Sequence, residues 1–295
     1  MSYKVKKAAV LGSGVMGSGI ACHLANVGID VLMLDIQPND KSVKNKNFIA
    51  DESLKNAIKS RPNPLYKKEY ASRITTGNFD DDFEKIKDAD WIIEVIVENL
   101  EIKKTVFEKV EKYKSDHAFV TSNTSSIPIS LLCEGRSDNF KSKFCGTHFF
   151  NPPRYLRLFE VIPHTNSDPS LISFLMEFGD VILGKQTVLC KDTPGFIGNR
   201  IGVMCGIKSS QLTDKYKFKI EEVDLMTGSV IGLPNSGTFR LQDLVGLDTS
   251  NNVTNFLVNN VTDDSFYSKL KDEPENKSFN FLIENKFFGN KSRKG

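Results

Sequence analysis

Near the N-terminus an apolar run, Lys7-Ala8-Ala9-Val10-Leu11, passes straight into Gly12-Ser13-Gly14-Val15-Met16-Gly17, and a second apolar run from Ile29 to Leu34 ends on Asp35. Each glycine answers a different steric demand. Gly12 lets the chain turn tightly off the first strand, Gly14 lets backbone N–H groups approach a pyrophosphate, and Gly17 lets the following helix, Ser18 to Val27, pack against the sheet. The phosphates then sit at the helix N-terminus, where unpaired N–H groups and the helix dipole favour an anion. The pattern therefore points to a dinucleotide held by Gly12, Ser13, Gly14, Val15, Met16 and Gly17. Asp35, about 20 residues on, would accept hydrogen bonds from the adenosine ribose and repel a 2′-phosphate, which selects NAD over NADP. An ordinary strand-to-helix turn with spare glycines would leave both the spacing and the acid unexplained.

With 295 residues the chain has material for about two domains. Its 39 Lys and Arg against 37 Asp and Glu give a net charge of +2, which offers no electrostatic case for nucleic acid or a membrane surface. The N-terminal lysines and the stretch Ala8 to Ala25 superficially resemble a secretory signal, but the glycines, serines and Cys22-His23 break that stretch. No other segment approaches the ~20 apolar residues that span a bilayer. The five cysteines are scattered without metal-ligand spacing, and so read as reduced, buried residues of a cytoplasmic protein that binds no metal.

Strand and helix signals alternate through the first two thirds. Trp91 to Val97 is a continuous apolar strand, Ile102 to Tyr113 an amphipathic helix, and His117 to Thr121 a strand running into Ser122-Asn123-Thr124-Ser125-Ser126. Phe144 to Phe149 and Leu156 to Val161 follow as strands, then a helix from Pro169 to Leu183 and a strand from Thr187 to Cys190. Repeated βα units imply an α/β fold, a doubly wound, mostly parallel sheet of the Rossmann type, over residues 1–190. Within it, residues of about 40–74 are lysine-rich and read as a helical projection, broken by Pro62 and Pro64. After Lys191-Asp192-Thr193-Pro194-Gly195, which reads as a cap followed by Pro at the first helical position, no strand signal remains. Residues 191–295 therefore form a smaller all-α domain, and the final basic turn carries no closing element.

The chemistry must come from the strand ends, where such sheets hold their ligands. His148 ends one apolar strand and Glu160 lies on the next, within reach if the two pair as a hairpin. A carboxylate on one imidazole nitrogen fixes the tautomer and raises the basicity of the other, as alcohol oxidation by NAD requires. Taken alone, a histidine beside a turn is more often a hydrogen-bonded structural residue. The Ser122–Ser126 segment could orient a polar substrate or serve as a helix N-cap cluster. Glu98 and Lys103 could reach the cofactor ribose or form a surface salt bridge. The basic segment after Asp40 could meet phosphates or be a solvated face.

Taken together, Val10 to Ala21, Val97-Glu98-Asn99-Leu100, Ser122 to Ser126, His148-Phe149-Phe150-Asn151-Pro152 and Lys191 to Phe196 resemble the L-3-hydroxyacyl-CoA dehydrogenase family. Glu221 to Asp224, Gly232-Leu233-Pro234 and Asp243 to Asp248 extend the resemblance through the helical domain. Arg154-Tyr155-Leu156-Arg157-Leu158 looks most like the dehydrogenase part of bacterial multifunctional proteins that also carry an enoyl-CoA hydratase. The resemblance implies NAD-dependent oxidation of L-3-hydroxyacyl-CoA in fatty-acid β-oxidation, with His148 as general base and Glu160 as its partner. It also implies that Ser125 and Asn199 hold the substrate oxygen and His148, and that Glu98, Lys103, Asn123, Asn151 and Lys291 contact NAD. An acyl-CoA thioester is the implied substrate, and a homodimer or a larger β-oxidation polypeptide or complex the implied assembly. The family pattern continues past Lys294-Gly295 with aromatic residues, so the chain reads as a truncated piece. The competing readings are a dehydrogenase of a related acid without CoA and a non-catalytic NAD-binding protein.

Overall fold

A computed structural model describes residues 3–272 and 276–295. The chain divides into two compact units, residues 1–192 and 193–295.

Among its described residues the first unit carries eight strands, β1 (Lys7–Leu11), β2 (Asp30–Asp35), β3 (Ile74–Asn78), β4 (Trp91–Glu94), β5 (Phe119–Ser122), β6 (Phe144–Phe149), β7 (Leu158–Ile162) and β8 (Gln186–Leu189). They form one sheet in the order β3-β2-β1-β4-β5-β6-β7-β8. Every neighbouring pair is parallel except β6 with β7. Its helices are α1 (Val15–Asn26), α2 (Phe48–Lys59), α3 (Leu100–Tyr113), α4 (Ile129–Leu132), α5 (Asp138–Ser142) and α6 (Pro169–Val181). The mostly parallel, doubly wound sheet read from the βα alternation is thus present.

Apolar residues with little polarity to spare make the central strands: β1 and β4 are buried along nearly their whole length. Trp91 on β4 stacks on Phe119 of β5, with ring centroids 5.6 Å apart, and its indole N–H donates to Thr121 Oγ1 at 2.9 Å. On one face α1 buries Ile20, Ala21, Leu24 and Ala25 at helical spacing. Ile20 and Leu24 each contribute roughly 1.5–3 kcal/mol of transfer free energy, and each alanine methyl about 0.8 kcal/mol.

Two local expectations change here. The Trp91 strand stops at Glu94: Val95 N–H still donates to Leu11 O, but Ile96 N–H turns to the Glu94 carboxylate and the ladder goes no further. The basic segment after Asp40 forms only one α-helix, α2, followed by turns and a 3₁₀ turn over Lys68–Arg73. Nor does it stand clear of the sheet. Leu65 is buried, Asn26 donates to Pro64 O at 2.8 Å, and the Arg154 guanidinium donates to the carbonyls of Asn63 and Leu65.

The second unit is helical, with α7 (Gly198–Tyr216), α8 (Ile220–Met226), α9 (Phe239–Val245), α10 (Leu247–Asn260), α11 (Ser265–Leu270) and α12 (Lys277–Glu284). A small core of Leu257, Val261 and Tyr267 joins α10 to α11, and Tyr267 donates to Arg200 O on α7. The sequence placed Pro194 at a helical first position, but α7 begins only at Gly198. Residues 194–197 are a turn in which Gly195 and Phe196 take positive φ, a conformation incompatible with a helical first turn. The last residues also close on themselves: Gly289 and Lys294 form a β-bridge, and Asn290 N–H donates to Asp243 O. Four of the cysteines are buried and Cys205 is exposed, a departure from the all-buried expectation, and none of the five forms a disulfide.

Candidate active site

In doubly wound sheets the ligand crevice lies outside the carboxyl ends of the strands where the strand order reverses. Here the reversal falls between β1 and β4. Gly12 leaves β1 at φ +106°, and a Cβ there would lie 2.5 Å from Val95 O. At Gly17 a Cβ would lie 1.9 Å from Gly12 O, so α1 starts directly on the turn. Gly14 is different, for a Cβ there would meet nothing within 4 Å. It is also the N-cap of α1 and gives that helix no side-chain cap, which leaves its first turn suited to an anion. Ser13 completes the turn, and Val15 and Met16 open α1. These features fit a dinucleotide pyrophosphate.

Asp35 at the end of β2 is oriented by this same loop. Its Oδ2 accepts from the Ser13 N–H and hydroxyl, both at 2.6 Å, and its Oδ1 accepts from Ile36 N–H at 2.7 Å. Oδ1 keeps a lone pair for a ribose hydroxyl.

Further along the same edge, the β6–β7 hairpin sets His148 opposite Glu160. His148 Nδ1 and Glu160 Oε2 are 2.7 Å apart, the carboxylate is fully buried, and the histidine is 6% exposed. The hydrogen bond assigns the Nδ1–H tautomer, leaving Nε2 as the basic nitrogen. The Phe150 ring lies 4.4 Å from the imidazole. Asn123, after β5, accepts from Phe149 N–H at 2.9 Å and so ties the serine-rich loop to the residue following His148. Asn151 is exposed in the turn beyond β6.

Glu98 and Lys103 are joined by a residue that the sequence reading passed over. Lys103 on α3 is 1% exposed and donates to Glu94 Oε1 at 2.5 Å, with Glu98 Oε2 at 3.3 Å. The salt bridge considered for this pair thus has its Lys103 end buried and its Glu98 end exposed. Glu98 Oε1 accepts from the Thr124 and Ser126 hydroxyls at 2.6 and 2.7 Å, and from the Ser125 and Ser126 N–H groups at 3.1 and 3.0 Å. Burial pushes the Glu98 carboxyl up, but Lys103 and the two hydroxyls outweigh it and hold it below the ordinary carboxylate value. Glu94 is the opposite case, raised because complete burial outweighs the pull of Lys103 and Ser122.

The serine-rich loop is thus wrapped around Glu98 instead of capping a helix. The N-cap of α4 is Pro128, and the first N–H groups of α4, those of Ile129 and Ser130, go to the Asp192 carboxylate at 2.8 and 3.0 Å. Asp192 lies in the Lys191–Gly195 segment that reads as the cap of the next helix. Its partner lies more than sixty residues back, which no local pattern reveals. A signal for Glu94 did exist, an acid within the apolar run Trp91-Ile92-Ile93-Glu94-Val95-Ile96.

In the second unit Asn199 lies half-buried in the first turn of α7. Lys291 pairs with Asp248 Oδ1 at 2.5 Å and donates to Thr249 Oγ1 at 3.3 Å. Of the basic segment, Lys46, Lys55 and Lys67 form exposed ion pairs with Asp81, Glu52 and Glu69, which contribute little individually. Among the described residues no group of three or more His, Cys, Asp or Glu is placed to hold a metal ion.

Comparison with known proteins bears on the whole chain. Residues 7–193 match the family pattern "3-hydroxyacyl-CoA dehydrogenase, NAD binding domain", and residues 195–295 match "3-hydroxyacyl-CoA dehydrogenase, C-terminal domain". A "Probable 3-hydroxyacyl-CoA dehydrogenase" of Bacillus subtilis (strain 168) is 51% identical over 261 residues, 84% of this chain and 33% of that protein. A protein of the same name from Deinococcus radiodurans is 43% identical over 292 residues, 99% of this chain and 82% of that one. A "Putative fatty acid oxidation complex trifunctional enzyme" of Rickettsia felis is 38% identical over 295 residues, all of this chain and 40% of that one. The chain therefore spans only about a third of the Bacillus relative and two fifths of the Rickettsia relative, but most of the Deinococcus one. Two consecutive patterns cover the glycine turn, the His148 hairpin and the helical unit in order, and by them the chain, with its NAD-binding domain, belongs to the 3-hydroxyacyl-CoA dehydrogenase family.

Proposed function

We propose that this chain oxidises the 3-hydroxyl of an L-3-hydroxyacyl-CoA to the 3-keto group, reversibly, within fatty-acid β-oxidation. The observation that carries the reading is the buried His148–Glu160 hydrogen bond of 2.7 Å, at the sheet edge that also bears the glycine turn. An NAD held by the glycine turn and Asp35 would supply the acceptor for the C3 hydride. His148 Nε2 takes the hydroxyl proton, and Glu160 stabilises the imidazolium that results. Ser125 and Asn199 orient the substrate oxygen. Gly12 to Gly17 and Asp35 hold the dinucleotide, with Glu98, Lys103, Asn123, Asn151 and Lys291 as further candidate contacts. The ammonium of Lys103, buried between two carboxylates, reaches a cofactor through Glu98 in this reading.

The partner is an acyl-CoA thioester. A larger β-oxidation polypeptide or complex is supported by the much longer Bacillus and Rickettsia relatives, and a homodimer is the alternative assembly. Five cysteines outside any disulfide support a cytoplasmic setting. Among the described residues no helix is long and apolar enough to cross a membrane.

The test is NADH consumption by purified protein with acetoacetyl-CoA, alongside NADPH and free acetoacetate. Turnover with NADH and the thioester alone supports the proposal, and equal turnover of the free acid replaces CoA by a simpler substrate. Retained NADH binding without turnover of either removes the catalytic reading.

A further inference from the structure

Glu94 stands at the carboxyl end of β4, on the strand that flanks the reversal of strand order, paired in register with Leu11 of β1 and Ser122 of β5. It is fully buried, and each of its oxygens has a donor. Oε1 accepts from Lys103 Nζ at 2.5 Å and from Ile96 N–H at 2.8 Å, and Oε2 accepts from Ser122 Oγ at 2.5 Å. A carboxylate in this position is costly unless its partners are held in place. What it holds is a relay. Lys103 passes from Glu94 to Glu98, and Glu98 gathers the backbone N–H groups of Ser125 and Ser126 with the hydroxyls of Thr124 and Ser126. Ser122, the other partner of Glu94, accepts from Thr124 N–H at 3.2 Å. Both arms of the network converge on the loop that carries Ser125.

We propose that Glu94 is a positioning residue for Ser125, acting through Lys103 and Glu98 on one side and through Ser122 on the other. It touches neither substrate nor cofactor. The part played by Ser125 rests on the function proposed above, whereas the mechanical link from Glu94 to the loop does not. A preorganised loop presents the substrate-orienting hydroxyl without reorganisation during the reaction, and small displacements of such a group are costly in rate.

Two measurements separate these parts. The first is amide hydrogen exchange across residues 123–127 in Glu94→Gln, with Ser122→Ala as a gentler variant that removes only the second arm. Exchange is expected to quicken about fivefold or more in that segment while β1 amides stay protected. Unchanged protection of the segment in both folded variants overturns the proposal, whatever the enzyme assay shows. The second measurement compares kcat and KM for acetoacetyl-CoA with the NADH Kd in Glu94→Gln, Ser125→Ala and the double variant. A roughly tenfold fall in kcat/KM, beyond any change in the NADH Kd, is expected, and Glu94→Gln should cost little further once Ser125 is absent. Fully additive losses in kcat/KM overturn the positioning role. A parent protein without turnover sinks the proposed function alone, because the exchange measurement still decides the link.

Discussion

The two units bury their apolar residues very differently. In the first, the sheet sequesters Val10, Trp91, Phe119, Phe149, Phe159 and their neighbours at essentially zero exposure. In the second, a core of Leu257, Val261 and Tyr267 coexists with exposed Ile201, Leu225, Val230, Ile231 and Leu244. A parallel sheet covered on both faces takes up an apolar sequence almost completely, whereas short helices each leave part of their apolar stripe outside. The difference teaches that the first unit can afford buried polar machinery, since its core supplies the stability that Glu94, Lys103 and Glu160 consume.

The largest effect should separate chemistry from stability within the first unit. His148→Gln is expected to lower kcat/KM for acetoacetyl-CoA by about 10²–10⁴-fold while the NADH Kd and the unfolding midpoint barely move. A variant that keeps full turnover removes His148 from the mechanism. Next, Phe119→Ala should cost about 3–5 kcal/mol in denaturant unfolding, because it opens a cavity beside Trp91. The chain's single tryptophan lies in this core, so its fluorescence reads the first unit directly. A loss below about 1 kcal/mol would mean that the core is less tightly packed than its burial implies.

A third test uses His23, whose Nε2 lies 3.0 Å from Leu183 O. Burial, with Lys185 nearby, lowers its pKa from 6.5 to about 4. The unfolded chain therefore binds the proton more readily, and stability is complete above pH 6.5 and falls as pH drops toward 4, by roughly 3 kcal/mol in all. His23→Phe should flatten that part of the tryptophan-monitored stability profile, and an unaltered slope would assign the acid sensitivity to other groups. The smallest effect should come from the second unit, where Leu225→Ala is expected to change unfolding free energy by no more than about 0.5 kcal/mol. A loss of 2 kcal/mol or more by circular dichroism would show that this exposed leucine is covered, and would erase the contrast between the units.

Much of the first unit was legible in advance because its signals are local. Three glycines at fixed spacing, an acid closing the second strand and alternating βα periodicity each depend on a few consecutive residues. The pairing of His148 with Glu160 was also accessible, since two apolar strands joined by Asn151-Pro152-Pro153 suggest a hairpin, and the hairpin register decides who faces whom. The basic segment was less legible. Its composition suggested helical pieces standing away from the sheet, but Leu65 and the carbonyls claimed by Arg154 pull it inward.

By itself the sequence determined the dinucleotide turn, the order of strands and helices, and the candidate base with its carboxylate, because steric demands and hydrophobic periodicity act over short stretches of chain. Only the tertiary structure decided that Lys103 is enclosed by Glu94 and Glu98, that the serine-rich loop wraps Glu98, and that Asp192 caps α4. The reason is that a buried polar group must find its partner wherever the fold provides one, and the Asp192 caps, which reach back more than sixty residues, lie beyond what any local pattern can reveal.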